Sequence, residues 1–561
     1  MGQIEVATSR AGATINAALA GRDVKWYRGN QLKLSFMLFL LVLSAASNGY
    51  DGSMMNGLQA LTTWQEYFGH PERKPNLFGV YNAIQNIGSI CGLPFAPIVA
   101  DRYGRRAGVF IGCCILIVAS ILQGSAQNAG MFIASRGLIG FGLSFSLLAS
   151  PILISELAYP TFRAPFTALF STQWYLGAIF AAWTTFGTFR MHTNWGWRIP
   201  SLLQCVPSLI QVGFIWFLPE SPRWNIANGK TDKAVEFIAK YHCEGDHHDP
   251  LIEAEIDEIK QAIEADRENK TTTYRSLFST AANRRRMNLV IALGIFCQWS
   301  GTGLISFYLT LTLKGIGITE AKWQTLINGI MQVYNFVVAV GGAMLIERVG
   351  RRRLFLISCV GMCISFTAWT ICSATYTQSS HTWDPACLAA NDGDKNSCPA
   401  LDANKHAGRA VIAFIFLVQF FFNIAMNPLC GAYAVEILPY TLRSKGMMVM
   451  NFTISAASMF NQYINPIAIL AIEWKYYIVF CIFIAFEGVY IYLYLIETRG
   501  PNGPLSLEEI ASLFEGPFRW GFQKLPHHES EHAEGSISDK EGKGGAVQYV
   551  EDGGSVESLR R

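Results

Sequence analysis

Asp51 and Arg136 are the residues of this chain best suited to chemistry, because each lies inside a long apolar run where an ionised group is expensive and is usually paired or put to use. Desolvation disfavours the charge of a carboxylate and a nearby guanidinium restores it. A helix movement that separates the two would therefore switch proton binding on and off. A static buried ion pair, or an aspartate in a solvent-filled mouth, would use the same residues without that switch. A second set of charges occurs twice. Asp101, Arg102, Arg105 and Arg106 stand in DRYGRR, Glu156 and Arg163 in ELAYPTFR, and Glu220 and Arg223 in PESPRW. The set returns as Glu347, Arg348, Arg351 and Arg352 in ERVGRR, Glu436 and Arg443 in EILPYTLR, and Glu497 in ETRG. Gly-Arg turns facing acids on neighbouring helix ends can form charge-assisted pairs at a cytoplasmic face and so latch the outward-facing state of a moving protein. Arginines that merely set membrane orientation are the alternative, but orientation alone requires no carboxylates.

Such residues need elements to carry them, and the duplication states what these are: two halves of one fold. The chain is 51% hydrophobic and only 15% charged over 561 residues, with mean hydropathy +0.25, so the bilayer is its solvent. Runs of about 20 apolar residues, enough to cross the hydrocarbon layer, fall near 33–53, 78–100, 107–126, 131–155, 166–188 and 199–218, and again near 287–313, 325–346, 354–375, 409–435, 444–470 and 476–496. The expected architecture is an all-α membrane protein of about twelve spans. A 31–218 bundle and a 287–515 bundle are joined by a helical linker at 219–286. The first run lacks a small-residue cleavage site and reads as a retained helix. Arg and Lys crowd the turns after spans 2, 4, 8 and 10, which the positive-inside rule places in the cytoplasm together with both termini.

The linker carries apolar residues at helical spacing (Ile252, Ile256, Ile259, Ile263) and reads as amphipathic helices under the membrane. Residues 1–30 and 516–561 are polar and expected to be mostly disordered. The net charge of +3 is what the loop asymmetry leaves, so nothing points to nucleic acid. Of 13 cysteines most lie in apolar runs, and none has metal-ligand spacing. Cys387 and Cys398 differ: they share a polar loop expected outside, as a disulfide or as two free thiols. Glu487 is one more acid inside an apolar run, without an assignable role.

Taken in order, DRYGRR, the RGLIGFG stretch opening at Arg136, PESPRW, the QWSG stretch opening at Gln298, ERVGRR, and ETRG followed by LEEIASLF resemble the sugar porter family of the major facilitator superfamily from about residue 45 to 515. GYDGSMMNGLQAL, QWSG and LPYTLRSKG are similar to its fungal lactose permease and cellodextrin transporter branch. The resemblance implies two six-helix bundles around a central site with alternating access. It also implies that Asp51 and Arg136 form the proton-coupling pair. For the sugar it points to Gln298 and Asn335, with Phe307 and Tyr308 as ring-covering aromatics. Departures are several. Cys297 stands at a usual glutamine and Gly303 at a usual asparagine, Gly431 replaces a usual tryptophan, and Ser171 takes a glutamine position with Gln173 two residues on. Gly303 and Gly431 could make room for a disaccharide or mark a broken helix. The expected function is sugar:proton symport of a mono- or disaccharide, without cofactor or covalent chemistry. Alternatives are a facilitative uniporter or a non-transporting sensor. Expected partners are sugar, protons and plasma-membrane lipid; oligomeric state is left open.

Overall fold

The computed structural model describes residues 24–269, 274–380 and 404–500, with isolated positions at 19, 22, 503–504, 509–510 and 513–514. Cys387 and Cys398, the side chains of Glu347 and Arg348, and the far ends of both termini lie outside the described residues.

In the first half, span 1 is Gly29–Leu58, span 2 is Pro75–Gly92 with Phe95–Tyr103 at a 46° bend, and span 3 is Arg105–Gly124. Span 4 is Ala129–Leu157, span 5 is Arg163–Thr188, and span 6 runs through Trp195–Leu203 and Val206–Phe214. In the second half, span 7 is Ala281–Trp299 with Thr302–Gly315, span 8 is Ala321–Val349 and span 9 is Arg351–Ser380. Span 10 is Lys405–Phe421 continuing into Asn427–Ile437, span 11 is Tyr440–Ile472 and span 12 is Tyr476–Tyr494.

Length and hydropathy alone mark nine crossing segments among the described residues, or ten with the bent pair. Two of the twelve spans escape that test for physical reasons. The apolar stretch Lys445–Tyr494 is two helices, parted by a turn where Glu473 takes φ 48°. Span 5 is long enough but polar, because Ser171, Trp174 and Tyr175 face an internal cavity and not lipid.

Within the first half, span 1 packs on span 5 and span 4 on spans 2 and 3; in the second, span 9 packs on spans 10 and 12 and span 7 on span 11. The halves meet along spans 2 and 11, 5 and 8, and 1 and 7. Spans 2 and 11 approach so closely that a Cβ on Gly79 would stand 2.7 Å from the Tyr463 carbonyl.

The linker forms helices at Pro222–Ala227, Thr231–His242 and Pro250–Asn269. Of the residues at helical spacing, the last buries Ile252 and Ile256, with Leu251 beside them, and leaves Ile259 and Ile263 half-buried. The linker is tied to the first half by polar bonds: Trp224 Nε1 donates to the Asp101 carbonyl (2.8 Å) and Gln31 Nε2 to the Tyr241 carbonyl (2.7 Å). His242 Nε2 lies 3.2 Å from the Leu157 carbonyl. Arg22, within the stretch expected to be disordered, instead pairs with Asp249 through two bonds of 2.6 and 2.7 Å.

Candidate functional site

Span 1 brings Asp51 and span 4 brings Arg136 into a two-pronged pair: Nη1 donates to Oδ1 at 3.1 Å and Nη2 to Oδ2 at 3.4 Å. The two side chains are 0% and 2% exposed, so no mouth of bulk water reaches the acid. Span 6 adds Gln204, whose Nε2 donates to Asp51 Oδ1 at 3.0 Å. Span 2 holds the guanidinium from the other side. Arg136 Nε donates to the Tyr81 carbonyl (2.7 Å) and Nη2 to Gln85 Oε1 (3.1 Å). A buried pair survives when its remaining lone pairs and protons find partners, and these neutral groups supply them.

Beside this pair, between the halves, lies a cavity of about 390 Å³. Ser171, Gln298, Phe307 and Asn335 line it, as the sequence expected, together with Cys297 and Gly303. Tyr308 and Gln173 are not among the lining residues. Tyr308 sits at a non-helical point of span 7 (φ −136°, ψ 28°), fully buried, its ring on Phe78 and its hydroxyl donating to the Gln462 carbonyl. Gln173 is buried on another face of span 5, as its two-residue offset from Ser171 requires.

The rest of the lining is amide-rich. Asn423 Nδ2 donates to Asn335 Oδ1 at 3.1 Å, and Tyr175 of span 5 joins Asn423 and Asn427 of span 10 across the halves. Asn86 Nδ2 donates to Gln462 Oε1 at 2.8 Å, also across the halves. These contacts were not read from the sequence. Their signal was the number of amides inside apolar runs, where each unpaired one is costly. Two breaks shape the second half's side of the cavity: span 7 turns at Gly301 (φ 84°), and span 10 carries a π-turn at Phe422–Met426 just before Pro428. Gly303 offers no spare room, since a Cβ there would stand 2.3 Å from Asn461 Nδ2, which donates to the Gln298 carbonyl at 2.7 Å. At Gly431 a Cβ would meet nothing within 4 Å.

On the face carrying the Gly-Arg turns, the leading pairs among the described residues join helices of the same half. Arg105 reaches Glu156 at 3.3 Å and Asp101 at 3.1 Å, and Arg351 reaches Glu436 at 3.0 Å. Glu220 accepts the backbone N–H of Arg105 (3.1 Å) at the start of span 3, and Glu497 that of Arg351 (2.9 Å) at the start of span 9. Each acid therefore caps a helix N-terminus, where unpaired N–H groups and the helix dipole favour a negative charge. The glycines permit it: Gly104 and Gly350 have φ of 101° and 95°, and a Cβ would stand 2.3 Å and 3.0 Å from the capping carboxylate. Burial pushes the Glu220 carboxyl above its ordinary value, opposed by the amides of Ser221, Arg106 and Arg105. Arg106 lies over the Trp216 ring and Arg352 over Tyr492. Arg102 is exposed over Tyr103, and Arg163 meets linker Glu258 at 3.6 Å. Arg223 and Arg443 are also engaged.

On the opposite face the halves are joined. Lys314 of span 7 pairs with Glu72 at 2.5 Å, Thr310 donates to the Asn56 carbonyl (3.2 Å), and Asn56 Nδ2 to Asn328 Oδ1 (3.4 Å). Glu487 is wholly buried in span 12 with neither carboxyl oxygen hydrogen-bonded.

Two six-span bundles enclosing a polar cavity at their interface are the architecture of the major facilitator fold. The family model described as "Sugar (and other) transporter" matches residues 37–514, and the chain belongs to that family. The high-affinity glucose transporter of Kluyveromyces lactis is 25% identical over 85% of this chain and 84% of its own. The hexose transporter HXT8 of Saccharomyces cerevisiae is 26% identical over 87% and 83%. Among solved structures, the inward-open xylose transporter XylE from E. coli aligns with TM-score 0.68 at 20% identity, covering 86% of this chain and 99% of that one.

Proposed function

We propose that the chain imports a mono- or disaccharide together with protons across the plasma membrane, by alternating access. The observation that carries this reading is the Asp51–Arg136 pair. It is a titratable acid wholly removed from water, held by one cation and one amide, beside a cavity lined with the donors and acceptors that sugar hydroxyls require. If the basic face and both termini are cytoplasmic, the face on which Lys314 meets Glu72 is external, and that ion pair holds the halves together there. Opening outward requires that bridge to break while the cassettes at Glu156, Glu220, Glu436 and Glu497 keep each half rigid at the cytoplasmic gate. Gln298, Asn335, Ser171 and Phe307 are proposed to contact the sugar. The GYDGSMMNGLQAL and LPYTLRSKG motifs favour the lactose and cellodextrin branch.

The test is uptake of labelled lactose, cellobiose, glucose, xylose and glycerol in a host stripped of its own carriers, with and without an imposed pH gradient. Gradient-dependent accumulation of at least one sugar is expected. Uptake of none, with export of a non-sugar metabolite, would overturn the reading. Uptake that never exceeds equilibrium would leave a facilitative uniporter.

A further inference from the structure

Gln85 is the one described residue that both lines the central cavity and bonds to the Asp51–Arg136 pair. Its Oε1 accepts from Arg136 Nη2 at 3.1 Å, and the same nitrogen reaches Asp51 Oδ2 at 3.4 Å, so amide and acid share one donor group. The backbone around Gln85 is fixed against the helix that carries Arg136. A Cβ on Gly140 would stand 1.8 Å from the Gln85 carbonyl, and Ser89 donates to the Gly140 carbonyl at 3.0 Å. Span 2 is therefore packed tightly on span 4 at this level, and a change at Arg136 reaches the Gln85 side chain bonded to it. The neighbouring Asn86 bonds to Gln462 of the other half, so cavity, ion pair and the seam between the halves meet within two residues of span 2.

We propose that Gln85 couples sugar occupancy to protonation of Asp51, an inference that rests on the proton-coupled reading above. When Asp51 takes a proton, Arg136 loses its counter-ion and keeps the Tyr81 carbonyl and Gln85 Oε1 as acceptors. The guanidinium then draws harder on Gln85 Oε1 and polarises the amide. Its Nε2–H groups become better donors to a sugar hydroxyl in the cavity, the cooperative strengthening expected of linked hydrogen bonds away from water. By reciprocity, sugar held by Gln85 favours the protonated state of Asp51, so sugar and proton bind together. The other titratable groups around the pair are the phenols of Tyr50, Tyr81 and Tyr308 and the Cys205 thiol, types that ordinarily titrate well above neutrality and leave Asp51 as the switch.

The test measures equilibrium binding of radiolabelled D-glucose or cellobiose, whichever the unmodified chain carries, at pH 5.5 and 7.5. Purified full-length protein, Gln85→Leu, Gln85→Met and Asp51→Asn are compared after matching for monodisperse protein. Binding does not require turnover, and Met keeps the length of Gln while removing its amide. The unmodified chain is expected to bind at least about five-fold more weakly at pH 7.5, the lower end of ordinary coupling between sites. Asp51→Asn should be insensitive to pH, and both Gln85 variants should retain less than about two-fold dependence although Asp51 is intact. In proteoliposomes the Gln85 variants should exchange sugar more slowly, and the accumulation ratio reached by that residual transport should fall toward one. Undiminished pH dependence in Gln85→Leu or Gln85→Met, with Asp51→Asn insensitive, would overturn the role of Gln85 and leave proton coupling standing. The same pH profile in the unmodified chain and Asp51→Asn would overturn both.

Discussion

At the basic face the two halves are built alike. Arg105 meets Glu156 as Arg351 meets Glu436, and Glu220 caps span 3 as Glu497 caps span 9; Arg106 covers Trp216 as Arg352 covers Tyr492. In the interior they part. The first half carries a charge pair between the unbroken spans 1 and 4, whereas the second breaks span 7 at Gly301, loosens span 10 with a π-turn and fills the space with amides. Helix ends have the same needs whatever the cargo, so their chemistry is duplicated. Interiors need not match: the first half holds a buried ion pair and the second a broken, amide-rich wall, which on the proposed reading would serve the proton and the sugar.

The sharpest way to break this contrast is to remove one charge. Arg136→Leu would leave Asp51 buried without its cation and should destabilise the protein by about 3–5 kcal/mol. Asn335→Leu in the other half should cost about 1–3 kcal/mol. Thermal unfolding followed by size-exclusion fluorescence compares them, and equal losses would erase the distinction between the ion pair of one half and the amides of the other. The likeness of the ends is tested by Gly104→Ala and Gly350→Ala. Each forces a side chain into a left-handed backbone, at about 1–3 kcal/mol. The closer carboxylate at Gly104, 2.3 Å against 3.0 Å, should make that substitution the more damaging. A larger loss at Gly350 would contradict the capping account.

Gln298→Leu should leave stability nearly untouched and weaken sugar binding by about 1–3 kcal/mol, because a buried hydroxyl loses its partner. Unchanged affinity would remove Gln298 from the site. The smallest effect belongs to the linker. The Arg22 guanidinium holds the Asp249 carboxyl at about 2, below its ordinary 3.8. A depressed carboxylate contributes stability that is present above its ordinary value and is lost as pH falls through its folded value. The protection of the Pro250–Asn269 amides, corrected for the intrinsic exchange rate at each pH, should therefore fall between pH 4 and 2, a change that Arg22→Met should abolish.

Much of this architecture was legible because membranes impose it. Apolar runs marked the spans, and the repeated Gly-Arg turns marked the two halves. Span 5 was found as a run but is too polar to pass by hydropathy alone, the trace of its cavity face. In the site, Asp51 and Arg136 could be picked out because charge stood in apolar sequence, and Gln298 and Asn335 through the resemblance to the sugar porters. Gln204, Gln85 and Tyr175 could not be placed, since their partners lie on distant spans and only the packing of helices brings them together. Gly303, open in sequence to a reading as room for sugar, is the gap that Asn461 fills.

The central claim is that sugar and proton cross together through Asp51, and the most direct measurement is proton movement on addition of sugar. Proteoliposomes are held without a gradient in weakly buffered medium, and external pH is followed as the transported sugar is added. The unmodified chain should make the medium more alkaline, while Asp51→Asn should produce no pH change and still exchange labelled sugar for unlabelled. A sugar-driven pH change of the same size in Asp51→Asn would contradict the account.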